Sequence, residues 1–319
     1  MSQEIASQPM NLPDNATYLL SPEENVMLAE VTAQRDNLRG PAETVTDYAL
    51  RIGDRQLIPT GLASAMSDFA ANGNKLGGML VRGFEIDVDG PDPARAKAVG
   101  ELILLSIAMT IGKPYGYASQ RNGEIIQNLT PNKADALKQL GTGSTTTLEW
   151  HTEDAHTPLN CDVIALLCMR GAVDANTLIS KVEPAELDES VRRELEAPNY
   201  VIISDGSYGS TSRFRTPIIA YDKAGNPEVR YDPLYTKTAT KASKTALDAL
   251  TAHVNARAMS INLEKGDLLL VDNGPSVHAR SPFKPKYDGK DRWLQRVGVL
   301  SKDVPADAVV PGNQLVINI

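Results

Sequence analysis

Hydrophobic and polar positions divide the chain into two regimes. Residues 1 to about 20 are polar and rich in Pro and Asn, which predicts a loose arm. Ser21-Pro22-Glu23-Glu24 then supplies a cap, a first-turn proline and acids, and predicts a helix to about Arg39. A second, shorter helix is expected over 60–72, stopped by Asn72-Gly73, and a strand over Gly78–Ile86. Asp92-Pro93 opens a strongly apolar helix that Gly112 and Pro114 close. Beyond it, short apolar or β-branched runs alternate with Gly, Pro and Asn clusters. They fall at 123–128, 144–151, 162–169, 177–182, 199–204, 217–221, 259–263, 267–272 and 293–300, a rhythm of strands in a barrel or sandwich. Two helices interrupt it, about Glu183 to Glu196 and Lys241 to Ala258. With no internal repeat or flexible linker, the simplest organisation is one domain over 1–319: the arm, a helical layer over 21–113 and a β core over 114–319.

Composition narrows the function classes. The 319 residues are 42% hydrophobic and 23% charged, enough for a sizeable core. A net charge of -8 argues against nucleic acid or an anionic membrane as partner, since either needs a basic face. The N-terminus lacks the pattern of a secretory signal, and the most apolar run, Leu102–Ile111, is too short to cross a bilayer. Cys161 and Cys168 are an odd number of residues apart. On a single strand they point to opposite faces, so no disulfide is expected, and free thiols suit the cytoplasm.

Four histidines remain as candidate ligands: His151, His156, His253 and His278. His253 sits in a helical segment and reads as a surface or core residue. His151 and Glu153 lie two apart at a predicted strand end, so they share a face, as two metal ligands or as a polar strand edge. His278 follows a buried strand, Leu268–Asp272, and a turn, Asn273-Gly274-Pro275, and is placed to project into a barrel mouth. Two histidines and a carboxylate can hold one face of an octahedral metal and leave the other open, as in non-haem Fe(II) oxygenases. Arg292 and Arg296 share a face of the last core strand, to form internal salt bridges or to bind ligand carboxylates bidentately.

Taken together, His151-Thr-Glu153, Gly266–Asn273, His278-Ala-Arg-Ser-Pro-Phe283 and Asp288–Arg296 resemble the clavaminate synthase-like group of Fe(II)/2-oxoglutarate oxygenases, over roughly residues 115–300. The segment Gly141–Thr147 departs from the family stretch before the first ligand. The resemblance implies a double-stranded β-helix (jelly roll), mainly β with added helices. It implies Fe(II) on His151, Glu153 and His278, and 2-oxoglutarate and O2 as co-substrates, the former held through its far carboxylate by Arg292 and Thr177. Arg296 and Gln120 match positions at the amino-acid head of the substrate, which Glu153 also approaches, and Asp232 a position near its side chain; a turn aspartate before Pro233 is the alternative. The expected activity is hydroxylation of an unactivated carbon of a free L-amino acid or derivative with a basic or polar, arginine- or lysine-like side chain, in secondary metabolism. Desaturation or ring closure is the alternative within the family. A zinc hydrolase and a non-enzymatic jelly-roll binding protein are the alternatives outside it.

Overall fold

The structure, a computed structural model, describes residues 16–33, 45–52, 57–90, 92–209 and 211–319. Among these the helices are α1 (Pro22–Ala33), α2 (Val45–Ile52), α3 (Thr60–Asn72), α4 (Pro93–Ile111), α5 (Glu189–Leu195) and α6 (Lys241–Ala256). The first nine strands are β1 (Thr17–Leu19), β2 (Gly78–Arg82), β3 (Lys113–Tyr117), β4 (Gln127–Leu129), β5 (Leu148–His151), β6 (Val163–Arg170), β7 (Asn176–Lys181), β8 (Tyr200–Ile203) and β9 (Arg213–Thr216). The rest are β10 (Ile219–Tyr221), β11 (Pro227–Val229), β12 (Thr236–Thr238), β13 (Met259–Asn262), β14 (Leu268–Asp272), β15 (Ser276–Arg280), β16 (Trp293–Leu300), β17 (Val309–Val310) and β18 (Asn313–Ile317).

Local signals explain several boundaries. Asp92 caps α4 by accepting from Arg95 N at 2.9 Å, with Pro93 in the first turn. Thr240 and Ser243 cap each other's backbone at the start of α6, a reciprocal capping box. Gly266 turns the chain into β14 at φ +83°, and a Cβ there would sit 2.0 Å from the Phe84 carbonyl oxygen, so only glycine fits.

Strand alternation then sorts the side chains into layers. The large sheet runs β1-β2-β14-β6-β16-β3-β18-β17, with β4 also on β16; a second sheet runs β13-β7-β15-β5. From β6, Val163, Ala165, Leu167 and Met169 join the apolar cluster shared with α3 and α4, while Ile164, Leu166 and Cys168 point the other way. β14 divides likewise, Leu268 and Leu270 toward the helices, Leu269 and Val271 inward. The inward set packs on Ile179, Met259 and Ile261 of the second sheet. That sheet's outer face, including Leu178, Val277 and Ala279, is covered by Leu247, Leu250 and Val254 of α6. Two sheets facing each other, with a helical layer outside one and α6 outside the other, make the jelly roll expected from the sequence.

Several details differ from expectation. Residues 1–15 lie outside the described residues, as do 34–39 of the predicted first helix. The end of the predicted arm is a strand: Thr17–Leu19 pairs in parallel with β2, whose edge offers free backbone groups. The strand expected at Gly78–Ile86 is present as β2, but it joins the large sheet of the β core although it lies within 21–113, assigned to the helical layer. Both cysteines are buried and free, but they lie in one apolar cluster rather than on opposite faces. The parity argument assumed a continuous strand, and β6 begins only at Val163. Among the described residues no helix is long and apolar enough to cross a membrane.

Candidate metal centre

The inward face of β15 carries Ser276, His278 and Arg280, since Val277 and Ala279 are spent on the outer core. β15 pairs with β5 on one side, which sets His278 directly opposite His151, their ring centroids 4.2 Å apart. His151 Nδ1 donates to the Glu149 carbonyl oxygen at 2.8 Å, so its Nε2 keeps the lone pair.

Glu153 reaches the same point by another route. β5 ends at His151, so strand alternation does not place Glu153. Asn273, fully buried after β14, does: it accepts from Glu153 N at 2.9 Å and donates to Glu153 O at 3.2 Å and Cys161 O at 2.9 Å. Thr152 turns away and bonds to Val229 and Tyr231 backbone. Glu153 Oε2 lies 3.9 Å from His151 Nε2 and 3.5 Å from His278 Nε2. The three ligand atoms all fall within 4.8 Å of one another.

The electrostatics favour a bound cation. Burial, the largest single influence, would raise the Glu153 carboxyl, but the Arg296 guanidinium and both histidines together outweigh it and hold the group far below the usual carboxylate range. Burial and the neighbouring His278 lower the His151 pKa, which favours the neutral ring that a metal requires. Glu153 Oε1 takes Arg296 Nη1 at 2.6 Å, whereas Oε2 is buried with no hydrogen-bond partner. A buried anionic oxygen left bare between two imidazoles is costly. Two nitrogens and one oxygen suit a non-haem iron with open positions, so the residues fit that metal.

Two further arginines flank the triad. Arg280 is satisfied by protein: its guanidinium donates to the carbonyls of Gly143, Thr146 (2.8 Å) and Ser281 (3.1 Å), pinning the 141–147 segment. Arg292, only 6% exposed, bonds to Thr177 Oγ1 at 3.3 Å and has no carboxylate partner among the described residues. Burial brings its pKa down to about 10. Thr177 pairs across the ladder with Arg280, so these groups surround one end of a cavity of about 360 Å³ that the triad also lines.

At the other arginine a chain of hydrogen bonds begins. Arg296 Nη2 donates to Gln127 Oε1 at 2.6 Å, Gln127 Nε2 to Gln120 Oε1 at 2.8 Å, and Gln120 Nε2 to Ser207 Oγ at 3.1 Å. Ser207 donates to Asp205 Oδ1 at 2.5 Å. Asp232 lines the same cavity, its carboxyl pushed up to about 6 by burial. The sequence-predicted residues His151, Glu153, His278, Arg292, Thr177, Arg296, Gln120 and Asp232 thus all line one cavity. His253 does not; it lies in the last turn of α6, where its Nε2 accepts from Glu183 N at 3.4 Å. Sequence reasoning missed Asn273, Gln127 and Asp205 and gave His156 no role. Asn273 stood in a motif read only as a turn, and the others show their place only once distant segments meet.

The family model for taurine catabolism dioxygenase TauD, TfdA family matches residues 64–297. The enduracididine beta-hydroxylase of Streptomyces hygroscopicus is 28% identical over 279 residues, covering 76% of this chain and 82% of that protein. Among solved structures, asparagine oxygenase in complex with Fe(II), 2S,3S-3-hydroxyasparagine and succinate superposes with a TM-score of 0.87 at 26% identity, covering 95% of this chain and 99% of that one. The non-heme iron oxygenase OrfP, in complex with Fe, succinate and (3S)-hydroxy-L-Arg, superposes with a TM-score of 0.84 at 25% identity, covering 94% and 99%.

Proposed function

The chain belongs to the taurine catabolism dioxygenase TauD, TfdA family, and from that premise we propose that it is an Fe(II)- and 2-oxoglutarate-dependent oxygenase hydroxylating a free L-amino acid with a basic or polar side chain. One observation carries the reading: beside a metal-type triad, the buried Arg292 has Thr177 but, among the described residues, no carboxylate to neutralise it. An unpaired buried cation calls for an anion, and a guanidinium calls for a carboxylate.

The residues then divide the work. His151, Glu153 and His278 would hold Fe(II). Fe(II) held there would supply O2 activation coupled to oxidative decarboxylation of 2-oxoglutarate, one oxygen atom going into succinate, with release of CO2, and the other into a substrate C–H bond. Arg292 and Thr177 take the far carboxylate of 2-oxoglutarate and fix its register. Arg296, with two donors already on Glu153 and Gln127, offers its remaining N–H groups to the substrate's α-carboxylate. Gln120 and Glu153 lie beside it for the amino group. Asp232 lines the cavity where a donor-rich side chain would end. Orientation decides the carbon: an error of about 1 Å in placement costs orders of magnitude in rate. The relatives' substrates, an arginine product in one structure and an asparagine product in another, fall within the same class.

The test is a panel of free amino acids incubated with Fe(II), 2-oxoglutarate and O2, read by succinate release and by mass spectrometry. Gain of one oxygen by a basic or amide amino acid is expected. Loss of two hydrogens would assign desaturation or ring closure instead, and absence of substrate-dependent succinate with every amino acid would refute the proposal.

A further inference from the structure

The cavity also holds two groups, Asp205 and His156, that have no part in the oxygenase reading. Asp205 and Asp232 both line it, and neither is ion-paired with a cation of the described chain. Asp205 uses one oxygen on Ser207 and Asp232 one on Tyr235 N at 3.2 Å. Burial, and to a lesser degree the charge of Asp205, make Asp232 harder to ionise, so the pair is under-neutralised. His156 lines the same cavity. It is 7% exposed, its ring stands edge-on to Tyr208 with centroids 4.4 Å apart, and its Nε2 is buried with no hydrogen-bond partner. A buried polar atom on a cavity-lining residue, with nothing to bond among the described residues, is a pointer to a ligand.

Resting on the amino-acid oxygenase reading, we propose that His156 is a specificity-determining residue, whose Nε2 accepts an N–H from a cationic substrate side chain that Asp205 and Asp232 neutralise. Burial favours the uncharged imidazole, which has one acceptor nitrogen, and Nε2 is the one without a partner. Three acceptors on different segments of one cavity wall are then available to one ligand group. A guanidinium or an ammonium can donate to all three, since each carries at least three N–H bonds and no acceptor. A carboxamide cannot: its oxygen would meet a carboxylate or a lone pair. The site therefore selects arginine- or ornithine-like amino acids over asparagine and glutamine. Tyr208 braces the selecting ring, because its hydroxyl is tied to Asp154 and its ring edge fixes the imidazole.

The experiment is calorimetric binding of L-arginine, L-ornithine, L-lysine, L-asparagine and L-glutamine to the enzyme loaded with Fe(II) and 2-oxoglutarate without oxygen. It is repeated for His156→Phe and His156→Gln. Phenylalanine keeps a ring against Tyr208 and removes the acceptor; glutamine restores one. The wild type should bind a cationic amino acid, His156→Phe should lose about tenfold in that affinity, and His156→Gln should recover part of it. 2-Oxoglutarate affinity should stay unchanged in both variants. If His156→Phe binds the cationic substrate as well as the wild type does, the role of His156 is overturned while the oxygenase reading stands. Preference of the wild type for an amide overturns the cationic site with the same consequence. A wild type that binds none of these amino acids overturns both readings.

Discussion

Removing Asn273 tests whether the metal-site carboxylate is held by its backbone. The Asn273 amide is fully buried and closes a two-way bond with the Glu153 peptide, plus one to Cys161 O. Asn273→Ala leaves one buried N–H and two buried carbonyls without partners. At about 1–3 kcal/mol for each unsatisfied group, and less than additively because they share one site, the loss should be about 4 kcal/mol. For a chain of this size that is a melting point lower by about 8 °C, at roughly 2 °C per kcal/mol. The same change frees Glu153 Oε2 to leave the two imidazole nitrogens, so metal affinity should fall by about 10–100-fold, as for other groups that orient a ligand. Melting curves of the metal-free protein measure the first effect. The added stabilisation at increasing anaerobic Fe(II) measures the second, through mass action. A melting point within about 1 °C of wild type would refute the energetic argument. A large drop with undiminished stabilisation by Fe(II) would show that Asn273 supports the fold without positioning Glu153.

Other outcomes follow from the same geometry. His278→Ala should weaken Fe(II) binding by more than about 100-fold in anaerobic titration, because it removes one of three ligand atoms; retained affinity would move the metal elsewhere. Arg292→Ala should weaken 2-oxoglutarate by about 2–5 kcal/mol, the usual loss when a buried charge pair is broken, with Fe(II) affinity intact; equal co-substrate affinity would end its assigned role. Burial pushes the Asp272 carboxyl up to about 6, above its unfolded value near ~3.9, so the native state holds that proton more tightly and loses stability as pH rises between the two. Asp272→Asn should therefore stabilise the protein by about 2 kcal/mol at pH near ~8 and by little at pH near ~4; a pH-independent gain in chemical denaturation would contradict this.

The strands that the sequence shows best are those buried on both faces. β6 and β14 read as unbroken apolar runs because one side meets the helices and the other the inter-sheet core. β15 was read as the exit of a turn, since its inward residues Ser276, His278 and Arg280 are polar and only Val277 and Ala279 signal a core. β3, Lys-Pro-Tyr-Gly-Tyr, hides behind a proline and a glycine that usually argue against a strand. Arg292, expected on the last core strand, lies one residue ahead of β16, yet its even separation from Arg296 still brings both to one cavity. Nothing local could distinguish their fates: Arg296 meets Glu153, Arg292 meets no acid, and that difference arises from pairing across more than a hundred residues. His151 and Glu153 ended adjacent for a reason the alternation argument did not contain, since Asn273 and not the strand sets the second residue.

The hydrogen-bonded file from Arg296 through Gln127, Gln120 and Ser207 to Asp205 has a polarity. In isolation each carboxamide could face either way. A guanidinium only donates, so Gln127 must turn its oxygen toward Arg296, which turns its nitrogen toward Gln120, and the same constraint passes down to the serine hydroxyl. Of the two orientations open to the whole file, Arg296 forbids one. The carboxylate at the far end enforces the same choice, because Asp205 only accepts. Both ends therefore select the same arrangement, and turning a single amide over would set two like groups face to face on each side of it. The network is in this sense arithmetically rigid: it has one ground state with no partial rearrangements nearby, which lets soft side chains on separate strands and loops keep one alignment of dipoles beside the metal.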